Sequence, residues 1–482
     1  MELRPFQVQD VASLRAEYQA GRTSVLYVLS TGGGKTVVFS HIVKGAVSKG
    51  NTVCILVHRQ ELLLQASEKL TDLGVNHGLI APGHTPTRDP VQIASVQTLV
   101  GRMGRGEVGG FALLVIDEAH HSTAGSWSKI LAMNAAKYPG ARVLGVTATP
   151  IRLDGKGLGA IFQSMVEGPP IAELIRLGYL APPKVFAPPM KADLSGLRVI
   201  AGEFAKNQMA ERMDKPTITG DAVDHYRRIL QGAPSIVFCA SVAHAAHVAA
   251  EFRGAGYKAA TVDGGMEDRE RKRIIGALGA GQLNILTSCE IVSEGTDLPV
   301  VAGAILLRPT ASLGLYLQQV GRALRPSPDK TYAIILDHVG NCVRHGLPDD
   351  VREWDLAGVK SRGKGATDTG PGIAVKQCPK CFACHRPAPF CPHCGHKYQI
   401  ELLAPDKVAG ELEEITPERA EAMRLAKRME IGRAKSLEDL ETIAAARGYQ
   451  KGWAKIIWEA REKSRQKRIE AQASRYYRKE IR

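Results

Sequence analysis

The sequence predicts an α/β fold: two tandem lobes, each built on a parallel sheet, then a small cysteine-rich ribbon and a charged α-helical C-terminal region. Three observations predict it. Apolar runs of strand length alternate with helical patterns over residues 1–165 and again over 221–358. Two Cys-Pro-x-Cys knuckles are compressed into residues 378–394. Beyond about residue 405 the pattern is helical and highly charged.

In the first lobe the apolar runs fall at 25–29, 52–57, 91–96, 111–116 and 142–147, with helical stretches such as 61–66 between them. Pro169-Pro170 and then Pro182-Pro183 mark an irregular inter-lobe stretch, 166–220. The second series has runs at 235–239, 259–262, 283–287, 302–307 and 331–336. Residues 359–375 are rich in Gly, Lys, Ser and Thr and read as a linker. The ribbon occupies 374–400 and a basic helical tail 405–482.

The chain of 482 residues is 44% hydrophobic and 23% charged, as expected of a folded soluble protein. Its net charge of +14 points to a polyanionic partner, nucleic acid first. The start of the chain is polar and no apolar run reaches spanning length, so no membrane role is expected. Cys54, Cys239, Cys289 and Cys342 are scattered, and the other five cysteines lie between 378 and 394. This usage fits a reducing, cytoplasmic compartment better than a disulfide framework.

Leu29-Ser30-Thr31-Gly32-Gly33-Gly34-Lys35-Thr36 follows the first apolar run and precedes Val37-Val38-Phe39, which reads as strand, tight loop, helix start. Thr31, Gly32, Gly33 and Gly34 form a cradle in which backbone N–H groups can close around phosphate oxygens. Lys35 would reach the β- and γ-phosphates of ATP, and the Thr36 hydroxyl would hold Mg²⁺. The helix N-terminus adds positive potential at the same spot. Leu29 stands where the general phosphate-loop pattern has its first Gly. A Gly-rich turn with a chance Lys is the plain structural alternative.

The run Phe111-Ala112-Leu113-Leu114-Val115-Ile116 ends in Asp117-Glu118-Ala119-His120. Two carboxylates at the C-terminal end of a parallel strand lie at the edge where such sheets bind ligands. Asp117 would hold Mg²⁺, directly or through water, and Glu118 would activate the attacking water. A solvated strand-end turn is the alternative, and the phosphate loop upstream argues against it.

With these motifs in order, residues 2–350 resemble a DEAH-type superfamily 2 helicase. The resemblance is closest to the branch holding the helicase subunits of type III restriction enzymes and the transcription-repair DNA translocases, phage and bacterial members with a zinc segment among them. It implies two RecA-like lobes that close over one ATP. Arg4-Pro5-Phe6-Gln7 resembles the adenine-reading element, with Gln7 pairing to the base edge. His58-Arg59-Gln60 and Ser95-Val96-Gln97-Thr98 resemble segments that touch the nucleic-acid backbone, through Arg59 and Thr98, although surface capping would explain either. Thr147-Ala148-Thr149-Pro150 resembles the element linking the Asp117–His120 turn to the nucleic-acid site.

In the second lobe, Glu294-Gly295-Thr296-Asp297 resembles a segment that meets both ligands: Gly295 and Thr296 a backbone phosphate, Asp297 the nucleotide. Gln318-Gln319-Val320-Gly321-Arg322-Ala323-Leu324-Arg325 resembles the arginine-finger helix. Arg322 and Arg325, three apart, would clamp the γ-phosphate from the opposite lobe, and Gln318 would sense the same site. The activity implied is an ATP-dependent DNA helicase or translocase acting on single- or double-stranded DNA. An RNA helicase and a catalytically inactive scaffold that holds DNA through its ribbon are the alternatives; oligomeric state stays open.

Cys378-Pro379-Lys380-Cys381 and Cys391-Pro392-His393-Cys394 have the spacing of a tetrahedral Zn²⁺ site. Cys384, His385, His393 and His396 are further candidate ligands, but the matching prolines favour the two knuckles. Residues 451–482 hold eleven Lys or Arg against four Glu, interleaved with Trp453, Trp458, Tyr476 and Tyr477. Such a segment can stack bases on its rings, or pack them as an amphipathic helix with the charges in water.

Overall fold

A computed structural model describes residues 2–58, 60–121, 125–152, 157–188, 196–200, 202–289, 298, 300–328, 330–358, 374–398, 417–450 and 452–463. The chain divides into two compact units, Met1–Ile400 and Glu401–Arg482.

The first sheet comprises β1 (Ser24–Val28), β2 (Val53–Val57), β3 (Gly78–Ile80), β4 (Val91–Ser95), β5 (Leu113–Asp117), β6 (Arg142–Thr147) and β7 (Ser164–Glu167), in the spatial order β3-β4-β2-β5-β6-β1-β7. Every pairing is parallel. β1, β2 and β4 are buried at every residue, as in a sheet covered on both faces, and this is why they read as largely apolar runs. The order places β1, β5 and β6 as neighbours. Their C-terminal ends deliver Leu29, Asp117 and Thr147 to one edge of the sheet.

The second sheet draws on β8 (Pro183–Phe186), β11 (Ser235–Phe238), β12 (Ala259–Val262), β13 (Ile285–Ser288), β14 (Gly303–Leu306), β15 (Ala333–Asp337), β16 (Lys376–Gln377) and β17 (Ala383–His385), with the small hairpin β9 (Val199–Ile200) and β10 (Glu203–Phe204) standing apart. Its order is β12-β13-β11-β14-β15-β8-β17-β16. The six strands from β12 to β8 are parallel, while β17 runs antiparallel to β8 and β16 antiparallel to β17. Two findings follow. Residues 183–186, from the Pro-rich stretch, are a strand of this sheet, with Pro183 at the strand's first position, where a missing N–H is tolerated. The cysteine ribbon is also part of the sheet, through Ala383↔Phe186 and Cys384↔Val185.

After the second sheet the chain returns to the first lobe. Trp354 and Leu356 pack onto the cluster that includes Leu158 and Phe162, and Gly159 N–H donates to Leu356 O at 2.9 Å. A β-carbon on Gly157 would overlap the same carbonyl, so this strap requires glycine there.

The second unit contains helices Pro417–Arg433, Leu437–Ala446 and 453–463 around a small core of Ala434, Leu440 and Ala454. Ser436 and Asp439 form a reciprocal capping box, and Arg461 donates to the carbonyls of Ile431 and Ala434. Trp453 and Trp458 pack on this core. Tyr476 and Tyr477 lie outside the described residues. Among the described residues no helix is long and apolar enough to cross a membrane.

Candidate active site

The phosphate loop leaves β1 and enters the helix Lys35–Val47. Gly32 and Gly34 have φ of 86° and 94°, a region closed to most L side chains. Val37 N–H and Val38 N–H both donate to Gly34 O, so the helix offers no acceptor of its own to the N–H groups of Lys35 and Thr36. The N–H groups of a helix N-terminus are where an anion is best received. Lys35 Nζ donates to Leu29 O at 3.2 Å and is thereby folded back under the loop. Removal from water pushes the Lys35 ammonium below its ordinary value; Glu118 and then Asp117 act to raise it, and Arg322 and Arg325 act to lower it. All five side chains therefore share one electrostatic site, three from the first lobe and two from the second.

Gln7 is buried on this loop. Its Oε1 accepts from Arg4 N–H at 2.9 Å and its Nε2 donates to Gly33 O at 3.1 Å. A β-carbon on Gly34 would stand 2.6 Å from Nε2, so the amide needs a glycine to reach the loop. The Arg4 guanidinium lies 4.2 Å from the ring centre of Tyr179, which also packs on Phe6. Tyr179 carries no local motif and was not among the expected site residues.

Asp117 ends β5, and its Oδ1 accepts from Glu118 N–H at 3.0 Å. Glu118 has φ of 48°, a strained conformation for a residue with a side chain. Its Oε2 is buried without a hydrogen bond and lies 3.4 Å from His120 Nδ1. His120 Nδ1 is also 3.0 Å from Thr147 Oγ1, whose hydroxyl donates to Thr149 O at 2.9 Å. With that hydrogen committed, His120 Nδ1 is the donor of the pair. A hydrogen-bond chain thus joins the Asp117–His120 turn to Thr147 and Thr149. The rings of His58 and His121 lie 4.3 Å apart and those of His120 and His121 4.2 Å apart, which connects the end of β2 to the same turn.

From the second lobe, the helix Leu313–Ala323 is capped by Ser312, whose hydroxyl accepts from Leu315 N–H. Its Gln318 and Arg322 are both buried, and the Arg322 charge acts on Lys35 of the phosphate loop. A β-carbon on Gly321 would stand 2.7 Å from Thr31 Cβ, and one on Gly32 would stand 3.7 Å from Arg325 Cγ. Thr98 accepts a hydrogen bond from Ser95 Oγ at 2.8 Å and keeps its own hydroxyl hydrogen. Arg59, Gly295, Thr296 and Asp297 lie outside the described residues.

The ribbon gathers Cys378, Cys381, Cys391 and Cys394 so that all four sulfurs lie within 4.8 Å of one another. Cys378–Cys394 and Cys381–Cys391 are 3.6 Å and 3.7 Å apart. Four sulfurs placed tetrahedrally at about 2.3 Å from zinc are about 3.8 Å apart, so the set fits that ion. Cys384 belongs elsewhere: its sulfur lies 3.6 Å from that of Cys342 in the lobe core. His385 bonds to Tyr398 and Arg386, His393 packs edge-on against Phe186, and His396 packs against Tyr398.

Residues 1–152 match the family described as type III restriction enzyme, res subunit, and residues 221–327 match the helicase conserved C-terminal domain. A 51.5 kDa protein of a Lactococcus phage is 34% identical over 77% of this chain and 77% of its own length. The budding-yeast protein named for ATP-dependent helicase activity, IRC3, is 30% identical over 70% of this chain, which spans only 51% of it. Among solved structures, a fragment described as the HsdR subunit of a type I restriction enzyme from Vibrio vulnificus superposes with a TM-score of 0.56 at 22% identity, covering 71% of this chain and 65% of that one. The ATP-dependent type ISP restriction-modification enzyme LlaBIII, bound to DNA, gives 0.53 at 16% identity, over 70% of this chain and 27% of that one. At such identities the likeness is one of fold. With phosphate loop, acidic turn and second-lobe arginines gathered at one edge of a RecA-like pair of lobes, the chain belongs to helicase superfamily 2, in the branch of the restriction-enzyme helicase subunits, and is an ATP-hydrolysing enzyme.

Proposed function

We propose that this chain is a nucleic-acid-stimulated motor that couples ATP hydrolysis to movement on, or unwinding of, DNA. The observation that carries the reading is the placement of Arg322 and Arg325 beside Lys35, Asp117 and Glu118, so that residues of both lobes surround one phosphate loop.

In this reading Lys35 and the N–H groups of the loop hold the triphosphate. Thr36 and Asp117 would hold Mg²⁺, which when bound neutralises charge between the β- and γ-phosphates. The buried, unbonded Oε2 of Glu118 accepts a proton from the attacking water. Arg322 and Arg325 stabilise the charge that develops on the transferred phosphoryl group, a role worth about 10³–10⁵ in rate for such arginines. Because they come from the second lobe, their engagement depends on closure. The His120–Thr147–Thr149 chain would carry that dependence away from the Asp117–His120 turn. The four-cysteine ribbon would hold Zn²⁺ as a closed structural site, since four thiolates leave no open position.

DNA as the track is supported by the restriction-enzyme family match and by the DNA-bound neighbour of the same fold. The excess of basic residues fits a polyanion and the expected contacts go to phosphates, so binding should be steeply salt-dependent and weakly sequence-specific. ATPase rates with single-stranded DNA, duplex DNA and RNA test the reading. Stimulation by DNA supports it, stimulation by RNA alone transfers the motor to RNA, and the absence of stimulation by any of them overturns it.

A further inference from the structure

Arg325 lies just beyond the finger helix, in a turn whose backbone is held from two sides. Leu324 O accepts from Ala181 N–H at 2.7 Å, and the neighbouring Leu180 side chain faces Gly32 of the phosphate loop. Arg325 O accepts from Lys330 Nζ at 2.6 Å. The same Nζ donates to Val301 O, also at 2.6 Å. Val301 is buried and follows closely on the 294–297 segment expected to meet both ligands.

We propose that Lys330 is a positioning residue for the arginine finger: its ammonium clamps the Arg325 and Val301 carbonyls together and so fixes where the Arg325 guanidinium stands relative to the phosphate loop. This rests on the reading that Arg325 completes the ATP site. A lysine that merely capped the end of a helix would keep its ammonium in water and spend it on the last helical carbonyls. Lys330 reaches past the helix end and joins two separate segments. Burial, and next the charge of Arg325, push its ammonium down to about 8, so the contact is made against an electrostatic penalty. A cation so close to a second cation is poorly explained by stability alone.

The test uses the full-length protein with saturating DNA, and compares wild type, K330M, K330R, R325A and the R325A/K330M double variant in steady-state ATPase assays, with melting temperatures measured alongside. K330M should lower kcat about 10- to 100-fold, the loss that displacement of a reacting group by an ångström brings, with KM for ATP changed less than about threefold. K330R, which can still bridge two carbonyls, should recover to within about fivefold of wild type. Adding K330M to R325A should cost nothing further, because a residue that acts through Arg325 has no effect once Arg325 is gone. K330M with wild-type kcat overturns the proposal. So does an additive double variant, or a K330R as inactive and as thermally weakened as K330M. If R325A itself hydrolyses ATP normally, it is the reading of Arg325 that fails, and the two failures are told apart.

Discussion

Gly321 faces Thr31 across the lobe boundary, with space for a hydrogen where any other residue would place a β-carbon 2.7 Å from Thr31 Cβ and 2.8 Å from its methyl. The finger helix can approach the phosphate loop this closely only because position 321 has no side chain. In G321A the extra methyl clashes with Thr31 in this arrangement of the lobes. Overpacking of this kind costs about 1–3 kcal/mol, which at 1.4 kcal/mol per tenfold lowers the closed population by roughly 5- to 150-fold. We expect kcat to fall by that order, with KM for ATP and melting temperature little changed. Steady-state kinetics check it, and a wild-type kcat would remove closure from the mechanism.

Glu118 combines a left-handed backbone with a buried carboxylate oxygen that makes no hydrogen bond. E118Q keeps the shape and leaves the backbone as it is, but cannot take a proton. Turnover should drop about 10²- to 10⁴-fold, the range of a lost general base, while ATP binding persists. Phosphate release and fluorescent-nucleotide titration separate the two. Retained turnover would assign the proton to another group.

Thr147 is fully buried, and its hydroxyl serves three partners: His120 Nδ1, Thr149 N–H and Thr149 O. T147V conserves volume and removes all three bonds, at about 1–3 kcal/mol for each group left unsatisfied. The melting temperature should fall. If this chain of bonds couples the two sites, basal ATPase should stay within a few-fold of wild type while its stimulation by DNA is lost. Equal loss of basal and stimulated rates would mean that Thr147 supports the fold only.

Much of this arrangement is legible in the sequence, for a physical reason. Strands buried on both faces must be apolar throughout, so 53–57 and 113–116 announce themselves. The phosphate loop and the acidic turn are equally local, each a few residues long. What escapes is non-local or short. The strand at 183–186 opens on a proline and gains its identity from pairing with 333–336 and 383–384, far along the chain. The edge strand at 164–167 is only partly buried and shows no apolar run. Tyr179 reaches Arg4 and Phe6 through the fold alone. The motif containing Gly321 was visible, but its contact with Thr31 depends on how the two lobes meet.

Stability should fall on mild acidification through three imidazoles of the second lobe. Burial depresses His244 and His345 to about 4 and His338 to about 3. His244 Nδ1 accepts from Ala240 N–H, a bond that protonation of that nitrogen would abolish. Well above pH 6.5, the ordinary histidine value, neither state binds the proton and the full stability is present. Below it the unfolded chain takes up protons that the folded lobe refuses, so stability is lost as pH falls toward 4. Integrated from the half-protonated unfolded imidazole at pH 6.5, each accounts for about 1.6 kcal/mol between pH 6.5 and 5. Denaturant midpoints at the two pH values check this, and H244A should flatten the slope. An unchanged midpoint between pH 6.5 and 5 would refute it.

Zinc should be an integral part of the second lobe, because the ribbon strand Ala383–His385 pairs directly with Pro183–Phe186. We expect about one equivalent of zinc in the purified protein. C378S or C394S should lose it, since each removes one corner of a four-sulfur set. C384A should retain it, because that sulfur faces Cys342 instead. Metal binding energy is folding energy in such sites, so strong chelation should lower the lobe's melting temperature by roughly 5 °C or more. The strand paired with the ribbon follows Ala181, whose N–H holds Leu324 O beside Arg325. Chelation should therefore also depress kcat, more than it raises KM for ATP. Elemental analysis and kinetics on the same preparations decide the point: zinc well below one equivalent in wild type, or zinc lost from C384A, would overturn the four-cysteine assignment.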